Sequence, residues 1–387
     1  MFKKVFDFGK KSTDSDVKGA QFLNAVRMGQ ISALRALVSG GANIQFQDPQ
    51  TGESALHIAV AKNDLDLLQF LIEAGVNGAL KNGKGTTPLL LAVENNQQRV
   101  IKALVAKVET SGLHVVNEAG ETSVNVALRV SQLNVARFLV DHGEDADAAL
   151  RYAMKTNDWS QIEWICKHRG NPDLVDMQGL SPLNRSISQG DLEAFKKWVS
   201  FGADINGRQG TGKILRVSDW TPLMMALDQK RGEIATFLLM QPKIDVLHTT
   251  VSGASAMTIA LRMGLLDIVR LLRERGAELN VKTTEATTAL MFAAQSGNRE
   301  TLEYALRAIP ELINAQDHIG WTALMFAIQA RSPECVRFLL EKGADRNLES
   351  KDHKFSAHRV ALIQKTRIQN GDVLALQQVE EIVKLLA

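Results

Sequence analysis

The sequence is poor in three features that mark common classes of protein. It has two cysteines in 387 residues, and neither Cys166 nor Cys335 belongs to a paired thiol motif that would bind zinc. Its 45 basic and 43 acidic residues leave a formal charge of +2, so the electrostatic footprint of a nucleic-acid-binding protein is missing. Because no run of about 18 apolar residues occurs, no segment is expected to span a membrane.

The N-terminal stretch also lacks the pattern of a targeting segment. Residues 1–17 contain phenylalanines and lysines, but they have no apolar core of about seven residues, which a secretory signal requires. We expect a flexible tail over 1–17 whose phenylalanines fold onto the first repeat. Contact of this tail with an anionic membrane surface is left open as the alternative.

Motifs for catalysis and cofactor binding are incomplete. The segment Gly207–Lys213 has the glycine and lysine spacing of a phosphate-binding loop, but Ile214 stands where Ser or Thr would hold magnesium. A flexible basic loop that touches a partner is the better interpretation. No histidine forms a helical pair with a carboxylate suited to zinc, and no serine lies in a nucleophile elbow. We therefore predict no cofactor, no metal and no enzymatic activity.

What the sequence does contain is an internal repeat. Taking the leucine of one short helix as the anchor, the equivalent positions are Leu23, Leu56, Leu89, Val124, Leu150, Leu183, Leu223, Met257, Leu290, Leu324 and His358. Their spacings are 33, 33, 35, 26, 33, 40, 34, 33, 34 and 34 residues. In the unit Gly320–Asn347, Thr322 caps a first helix that ends near Ala330, and a second helix runs from Pro333 to Lys342 before Gly343. A unit this small needs neighbouring copies to bury its apolar faces.

The repeated phrases point to one family. The first helix begins with SALHIA at 54–59, TPLLLA at 87–92, SPLNRS at 181–186, TPLMMA at 221–226 and TALMFA at 288–293 and 322–327. The closing phrase recurs as GADIN at 202–206, GAELN at 276–280 and GADRN at 343–347. A period near 33 with this pattern resembles the ankyrin repeat family over most of the chain. The resemblance implies an all-α solenoid of about ten stacked helix-turn-helix units with projecting hairpin loops.

The resemblance also implies a domain layout. An N-terminal capping repeat is expected at 18–48, tandem repeats at 49–354 and a C-terminal capping repeat at 355–387. The array should be irregular at 141–150, where about seven residues are missing and no room is left for a hairpin, and it should carry an insertion at 206–219. In the last helix, we expect Leu376, Val379, Val383 and Leu386 to face the stack. Only His57 keeps the family's histidine, which is understood to bridge adjacent turns by hydrogen bonds.

Function is predicted from the same resemblance. In this family, partner contacts come from hairpin tips and the inner, concave face of the first helices. Carried over position by position, the candidate residues are Met177, Gln178, Leu180, Arg216, Val217, Trp220, Asp228, Gln229, Arg262, Met263, Glu285, Thr287, His318, Ile319, Trp321 and Gln329. Trp220 and Trp321 are expected to be exposed aromatic anchors. The alternative, in which they only cover neighbouring hairpins, stays open.

We therefore expect an adaptor or scaffold that binds a protein partner. A dedicated inhibitor or immunity protein that occludes a partner enzyme's active site is the alternative, and an enzyme is a remote one. The chain should be monomeric when alone. The two cysteines lie five repeats apart, which predicts free thiols and a cytoplasmic location, with export by a route without a cleaved signal left open.

Overall fold

A computed structural model describes residues 14–107, 115–176, 179–208, 219–368 and 372–387. Across these ranges the chain is built from short α-helices in pairs, and the extended backbone is limited to the isolated bridges Thr249–Ser255 and Lys282–Thr288. The chain divides into two compact units, Met1–Asn171 and Pro172–Ala387. Each unit is a row of helix pairs, so the predicted all-α repeat architecture is confirmed.

The first unit contains five helix pairs. Its helices are α1 Asp14–Met28, α2 Ile31–Ser39, α3 Ala55–Lys62, α4 Leu65–Glu73, α5 Pro88–Glu94, α6 Gln98–Lys107, α7 Ser123–Arg129, α8 Leu133–Asp141, α9 Ala146–Thr156 and α10 Trp159–His168. The first helices of the pairs, α1, α3, α5, α7 and α9, pack in that order. Helix α1 begins at Asp14, four residues before the capping repeat expected from 18, and residues 1–13 of the expected tail lie outside the described ranges.

The second unit contains six further pairs. They are α11 Pro182–Gln189, α12 Leu192–Ser200, α13 Pro222–Asp228, α14 Gly232–Met240, α15 Ala256–Arg262, α16 Leu266–Glu274, α17 Ala289–Gln295, α18 Arg299–Ala308, α19 Ala323–Gln329, α20 Pro333–Glu341, α21 Ala357–Arg367 and α22 Val373–Leu386, with a 3₁₀ turn at Pro310–Leu312 after α18. The first helices α11, α13, α15, α17, α19 and α21 pack consecutively, and so do the second helices from α12 to α22.

Local chemistry explains where these helices begin and end. Most first helices start after a Thr or Ser whose hydroxyl accepts a hydrogen bond from the backbone N–H three residues later, as Thr322 does from Met325. The repeats close on a glycine in the left-handed region, such as Gly343 at φ 91° and Gly276 at φ 92°. Only a residue without a side chain adopts this conformation at little cost.

The anchor positions of the repeats are part of the core. The anchors from Leu23 to Leu324 are all at least nine-tenths buried, and so are Met224, Met291 and Met325, which take the place of the family's histidine. His57 keeps that place and bridges as expected, because its Nε2 lies 2.8 Å from the carbonyl oxygen of Thr86 in the next hairpin. Methionine is flexible enough to fill the irregular gaps that remain where the histidine is absent.

Two structural details differ from the simple repeat. Between α8 and α9 the chain has only residues 142–145, so there is no hairpin in this link, as the short spacing predicts. In α22 the buried residues are Ala375, Val379, Ile382 and Leu386, whereas Leu376 is 37% exposed and Val383 is half-buried. The prediction was wrong for Leu376, and Val383 is only partly buried, because α22 packs against both α20 and α21 and buries Ala375 and Ile382 there instead.

Candidate protein-binding surface

All sixteen candidate residues belong to the second unit, and four of them lie outside the described ranges. These four are Met177, Gln178, Arg216 and Val217, so nothing in the geometry bears on them. The described candidates occupy three kinds of position. Leu180, Trp220, Glu285, Thr287, His318, Ile319 and Trp321 are on hairpins, Asp228, Arg262 and Gln329 are the last residues of first helices, and Gln229 and Met263 follow such helices.

Hydrogen bonds join successive hairpins of the second unit edge to edge. The backbone N–H of Thr284 donates to the carbonyl oxygen of Ser252 at 3.1 Å, and that of His318 donates to Glu285 at 2.9 Å. In the third step, Lys351 donates to the carbonyl oxygen of Ile319 at 2.9 Å. These bonds fix the hairpin tips relative to one another, so the tips form one continuous, pre-formed surface, which we call the hairpin row: residues 249–255, 282–288, 317–322 and 350–355.

Each hairpin is also closed within itself. The backbone N–H of Asp317 donates to the carbonyl oxygen of Trp321 at 3.0 Å, and the Asp317 carboxylate accepts the N–H of Trp321 at 2.7 Å. Thr283 and Thr287 form the equivalent backbone bond at 3.1 Å. The tight turn needs a positive φ two residues before the capping Thr or Ser, and Gly320 supplies it at φ 84°.

The two tryptophans are not the exposed anchors that the sequence pattern predicts. Trp220 and Trp321 are both half-buried. The ring of Trp321 packs edge-on against Phe326 of α19, with the ring centroids 5.3 Å apart. The side chain therefore covers the start of its own first helix, and only part of its area is available to a partner.

The exposed apolar side chains of the hairpin row are aliphatic. Val251 is 91% exposed and Ile319 is 46% exposed, and both lie at hairpin tips. Ile319 was a candidate from the sequence, whereas Val251 was missed. The sequence around Val251 nevertheless indicated its exposure, because a valine in a turn, between a threonine and Ser-Gly, is not expected to pack into the core. Between these two tips, the ring nitrogen Nδ1 of His318 lies 3.9 Å from the Glu285 carboxylate.

An ion pair joins two of the candidate helices. The guanidinium of Arg262 at the end of α15 donates to the carboxylate of Asp228 at the end of α13 at 2.7 Å, and both side chains are 38% exposed. Gln229 after α13 and Gln329 at the end of α19 are exposed, and Met263 is half-buried. The structure thus brings together Asp228 with Arg262, and Glu285 with His318, as contacting pairs.

The insertion is closed at its base. Arg208 and Asp219 flank the undescribed segment 209–218, and their charged groups are 3.3 Å apart. His248 also bonds to the carbonyl oxygen of Asp219, at 2.8 Å. Arg208 and Asp219 therefore hold the two ends of the insertion together, and His248 ties Asp219 to the next repeat. Leu180 lies in the hairpin that begins the unit and is half-buried.

Neither a membrane-spanning helix nor a metal-binding cluster is found among the described residues. Among the described helices, none is both long and apolar enough to cross a bilayer. The same residues hold no group of three His, Cys, Asp or Glu side chains arranged to bind a metal ion.

Comparison with known proteins supports the repeat assignment. The family model for ankyrin repeats, which describes three copies, matches residues 22–115, 76–150, 183–283 and 257–350. Transient receptor potential cation channel subfamily A member 1 of Homo sapiens is 23% identical over 92% of this chain and 36% of that protein. Nuclear factor NF-kappa-B p105 subunit of Gallus gallus is 23% identical over 65% of this chain and 23% of its own length.

B-cell lymphoma 3 protein homolog of Mus musculus is 26% identical over 46% of this chain and 40% of that protein. The chain spans less than half the length of each of these relatives, so their whole-protein roles do not transfer to it. The repeats that the family model matches agree with the helix pairs and hairpins described above. This chain belongs to the ankyrin repeat family, whose repeats are generally protein–protein interaction modules.

Proposed function

We propose that this chain is a non-catalytic adaptor or scaffold that binds a protein partner on the hairpin row of its second unit. The observation that carries the proposal is the exposure of Val251 and Ile319 on hairpins that are bonded to each other through Ser252, Thr284 and Glu285. Apolar side chains at the centre of an interface, surrounded by polar groups, are the usual source of binding energy.

Rigidity supports the same proposal. A partner that docks on a surface already fixed by backbone hydrogen bonds loses little conformational entropy from this side of the interface. The Arg262–Asp228 pair and the Glu285–His318 pair supply charged groups of both signs beside the apolar tips. Such groups favour a partner with complementary charge and set its orientation.

The alternative proposal is an inhibitor that occludes the active site of a partner enzyme. The Arg208–Asp219 contact favours it, because it holds the two ends of the insertion together. Segment 209–218 would then enter a cleft of the enzyme. An inhibitor of this kind has one tight partner, and its binding abolishes that partner's activity.

The test uses the full chain and one pair of substitutions. A partner captured from native lysate by the wild type is purified, and its Kd is measured for the wild type and for the Val251→Asp, Ile319→Asp double variant. We expect at least a 100-fold weaker Kd, because two charges would be placed at the apolar centre of the interface. The control is Leu374→Asp, which changes an apolar residue on α22 that is 67% exposed.

An unchanged Kd in the double variant would show that the hairpin row is not the binding surface. Replacement of 209–218 by a short glycine linker separates the two roles. An inhibitor would lose binding and leave the partner enzyme active, whereas an adaptor would keep its affinity.

We also propose a monomeric chain in a reducing, cytoplasmic compartment. Cys335 is a buried free thiol, and burial raises its pKa. A buried, protonated thiol is poorly reactive. Light scattering on the purified chain tests the oligomeric state, and a mass that rises to that of a dimer with concentration would contradict the proposed monomer.

A further inference from the structure

Asparagines that follow the second helices of the second unit bind the backbone of the next repeat. The Nδ2 of Asn206 donates to the carbonyl oxygen of Lys243 at 2.8 Å, and its Oδ1 accepts the N–H of Asp245 at 2.9 Å. Asn314 makes the same two bonds to the segment 343–345. One side-chain amide thus holds the carbonyl of one residue and the N–H of the second residue after it, and we call this pair of bonds the backbone clamp.

The residue held between the two bonds of the clamp is apolar. Ala344 is 8% exposed in this position, and Ile244 is half-buried. In the first unit, Gln45 forms the same clamp around Val76, with both bonds at 2.8 Å, and Val76 is 7% exposed. The clamp therefore takes a short backbone segment whose middle side chain is removed from water.

Asn280 holds the equivalent place after α16, but the clamp is open there. Its side chain is exposed and has no hydrogen bond in the described ranges. Counted back from Asn314, Pro310 stands where the other repeats have the closing glycine, and the chain enters the 3₁₀ turn that follows α18. The N–H of Leu312 and the carbonyl oxygen of Pro310 are bonded within that turn, at 3.2 Å and 3.3 Å. Both backbone groups that Asn280 would otherwise hold are therefore taken.

Asn280 lines an open cavity with a volume of about 420 Å³. The same cavity is lined by Ala277, Leu279 and Ile309, which are each more than nine-tenths buried, and by the exposed Ala308 at the end of α18. This volume is within the range of ligand pockets in proteins. The cavity thus offers an apolar surface beside an amide that has a free donor and a free acceptor.

The charges at this cavity do not select an ion. Arg273 and Glu278 also line it, and both are exposed with no ion pair in the parts of the chain that the structure describes. One charge of each sign is therefore present, which suits an uncharged backbone. None of the lining residues belongs to the hairpin row, so the cavity is a separate site from the proposed binding surface.

We propose that this cavity binds a short extended segment of a partner protein, on which the backbone clamp of Asn280 closes. The Nδ2 of Asn280 donates to the carbonyl of one ligand residue, and its Oδ1 accepts the N–H of the second residue after it. An extended peptide presents these two groups on the same edge. The side chain between them is apolar, as in the three clamps within the chain, and it packs on Ala277, Leu279 and Ile309.

The test follows the methyl signals of Ala277 and Ala308 in the full chain, labelled with ¹³C-methyl alanine. Three probes are titrated into the millimolar range: acetyl-Gly-Gly-Val-Ala-Gly-amide, the same peptide N-methylated at its alanine, and the same peptide with aspartate in place of valine. We expect saturable shifts with the first probe. The N-methylated probe should bind at least fivefold more weakly, because it lacks the N–H for Oδ1, and the aspartate probe should bind at least tenfold more weakly.

Variants connect the binding to the named groups. Asn280→Ala removes both bonds of the clamp and should weaken binding of the unmodified pentapeptide at least tenfold. Ala308→Leu, which narrows the cavity, should do the same when the binding is followed at Ala277. Both positions are exposed, so neither substitution should disturb folding.

The matched control is Asn347→Ala, which removes the same side chain at the equivalent place after α20, outside the cavity. Its Kd for the pentapeptide should equal that of the wild type. No saturable shift, equal binding of the N-methylated or aspartate probe, or an unchanged Kd for Asn280→Ala would overturn the proposal.

Discussion

The hydroxyl of Ser123 on α7 donates a hydrogen bond to Oε1 of Glu144, and both side chains are buried. Glu144 lies two residues after His142, which caps the C-terminal end of α8. The other carboxylate oxygen, Oε2, is buried without a partner among the described residues. Desolvation raises the pKa of Glu144 to about 7, although the Ser123 bond opposes this shift. At the position of Glu144, directly after the closing glycine, four other repeats have a buried alanine, namely Ala42, Ala203, Ala277 and Ala344.

The first prediction concerns stability against pH. The carboxyl of Glu144 has a higher pKa in the folded chain than its ordinary value of 4.5, so folding binds a proton between these values. The contribution of this carboxyl to the free energy of unfolding is therefore fully present below about pH 4.5 and is lost as the pH rises to about 7. Glu144→Gln should remove this slope and raise the free energy of unfolding at pH 8 by up to about 3 kcal/mol. Urea unfolding at pH 5, 6 and 8 measures it.

The control for this experiment is Glu73→Gln, which neutralises an exposed carboxylate in the same unit. It should leave the pH dependence of the wild type in place. A parallel pH dependence for Glu144→Gln and the wild type would mean that Glu144 titrates at its ordinary pKa.

The second prediction concerns His57, whose effect has the opposite sign. Burial lowers its pKa below 6.5, so its contribution to stability is present above pH 6.5 and is lost as the pH falls through the folded value. The ring accepts from the N–H of Ser54 and bonds to the carbonyl of Thr86. His57→Leu should cost about 1–2 kcal/mol at pH 7.5 because both backbone groups lose a partner.

This substitution is measured in the Glu144→Gln background, so that the two slopes do not overlap. Leu90 shows that leucine fits the same position of the repeat. If the free energy of unfolding falls as steeply below pH 6.5 without His57 as with it, another group is responsible for the loss of stability in acid.

The third prediction concerns the hairpin row. Gly320 has φ 84°, and a Cβ on it would lie 2.7 Å from the backbone nitrogen of Lys351. Gly320→Ala should therefore lower the free energy of unfolding by about 2 kcal/mol or more and weaken the bond between Lys351 and Ile319. Ala286 already stands at φ 61° in the preceding hairpin.

Ala286→Gly is the matched control. Relief of the left-handed strain, worth about 1–2 kcal/mol, is offset by the lost methyl burial and the added chain entropy, so the net change should stay within about 1 kcal/mol. Thermal unfolding of both variants gives the comparison. Equal stability of Gly320→Ala and the wild type would contradict the close approach of the two hairpins.

The fourth prediction concerns the last helix. Truncation after Asn370 removes α22 and uncovers the apolar sides of α20 and α21, which it covers through Val379, Ile382 and Leu386. The shortened chain should melt several degrees lower and aggregate in light scattering. Leu374→Asp, a change at an exposed position of the same helix, should do neither. A truncated chain that stays monomeric with its full melting temperature would show that α22 is not a cap.

The helices were predictable because their signals are local. The second helix of one repeat was expected at Pro333–Lys342 and is found at Pro333–Glu341, since a capping serine and Gly343 fix its ends within a few residues. The link between α8 and α9 was equally readable, because a spacing of 26 residues leaves no chain for a hairpin.

The candidate surface was less predictable, because exposure depends on what packs beside a residue. Trp321 has a sequence position typical of an anchor, but Phe326 covers part of its ring. The burial of Glu144 follows from its packing around Ser123. No local sequence pattern contains these relationships.

The consecutive packing of helix pairs in the second unit has a mechanical consequence. Because each pair packs on its neighbours in the row, the inner pairs are held from two sides and the terminal pair of α21 and α22 from one, so under tension the terminal pair should detach first. The unit would lengthen in steps of one repeat, each releasing about 110 Å of chain for about 33 residues. Such an element behaves as an extensible spring rather than as a body that breaks at one force.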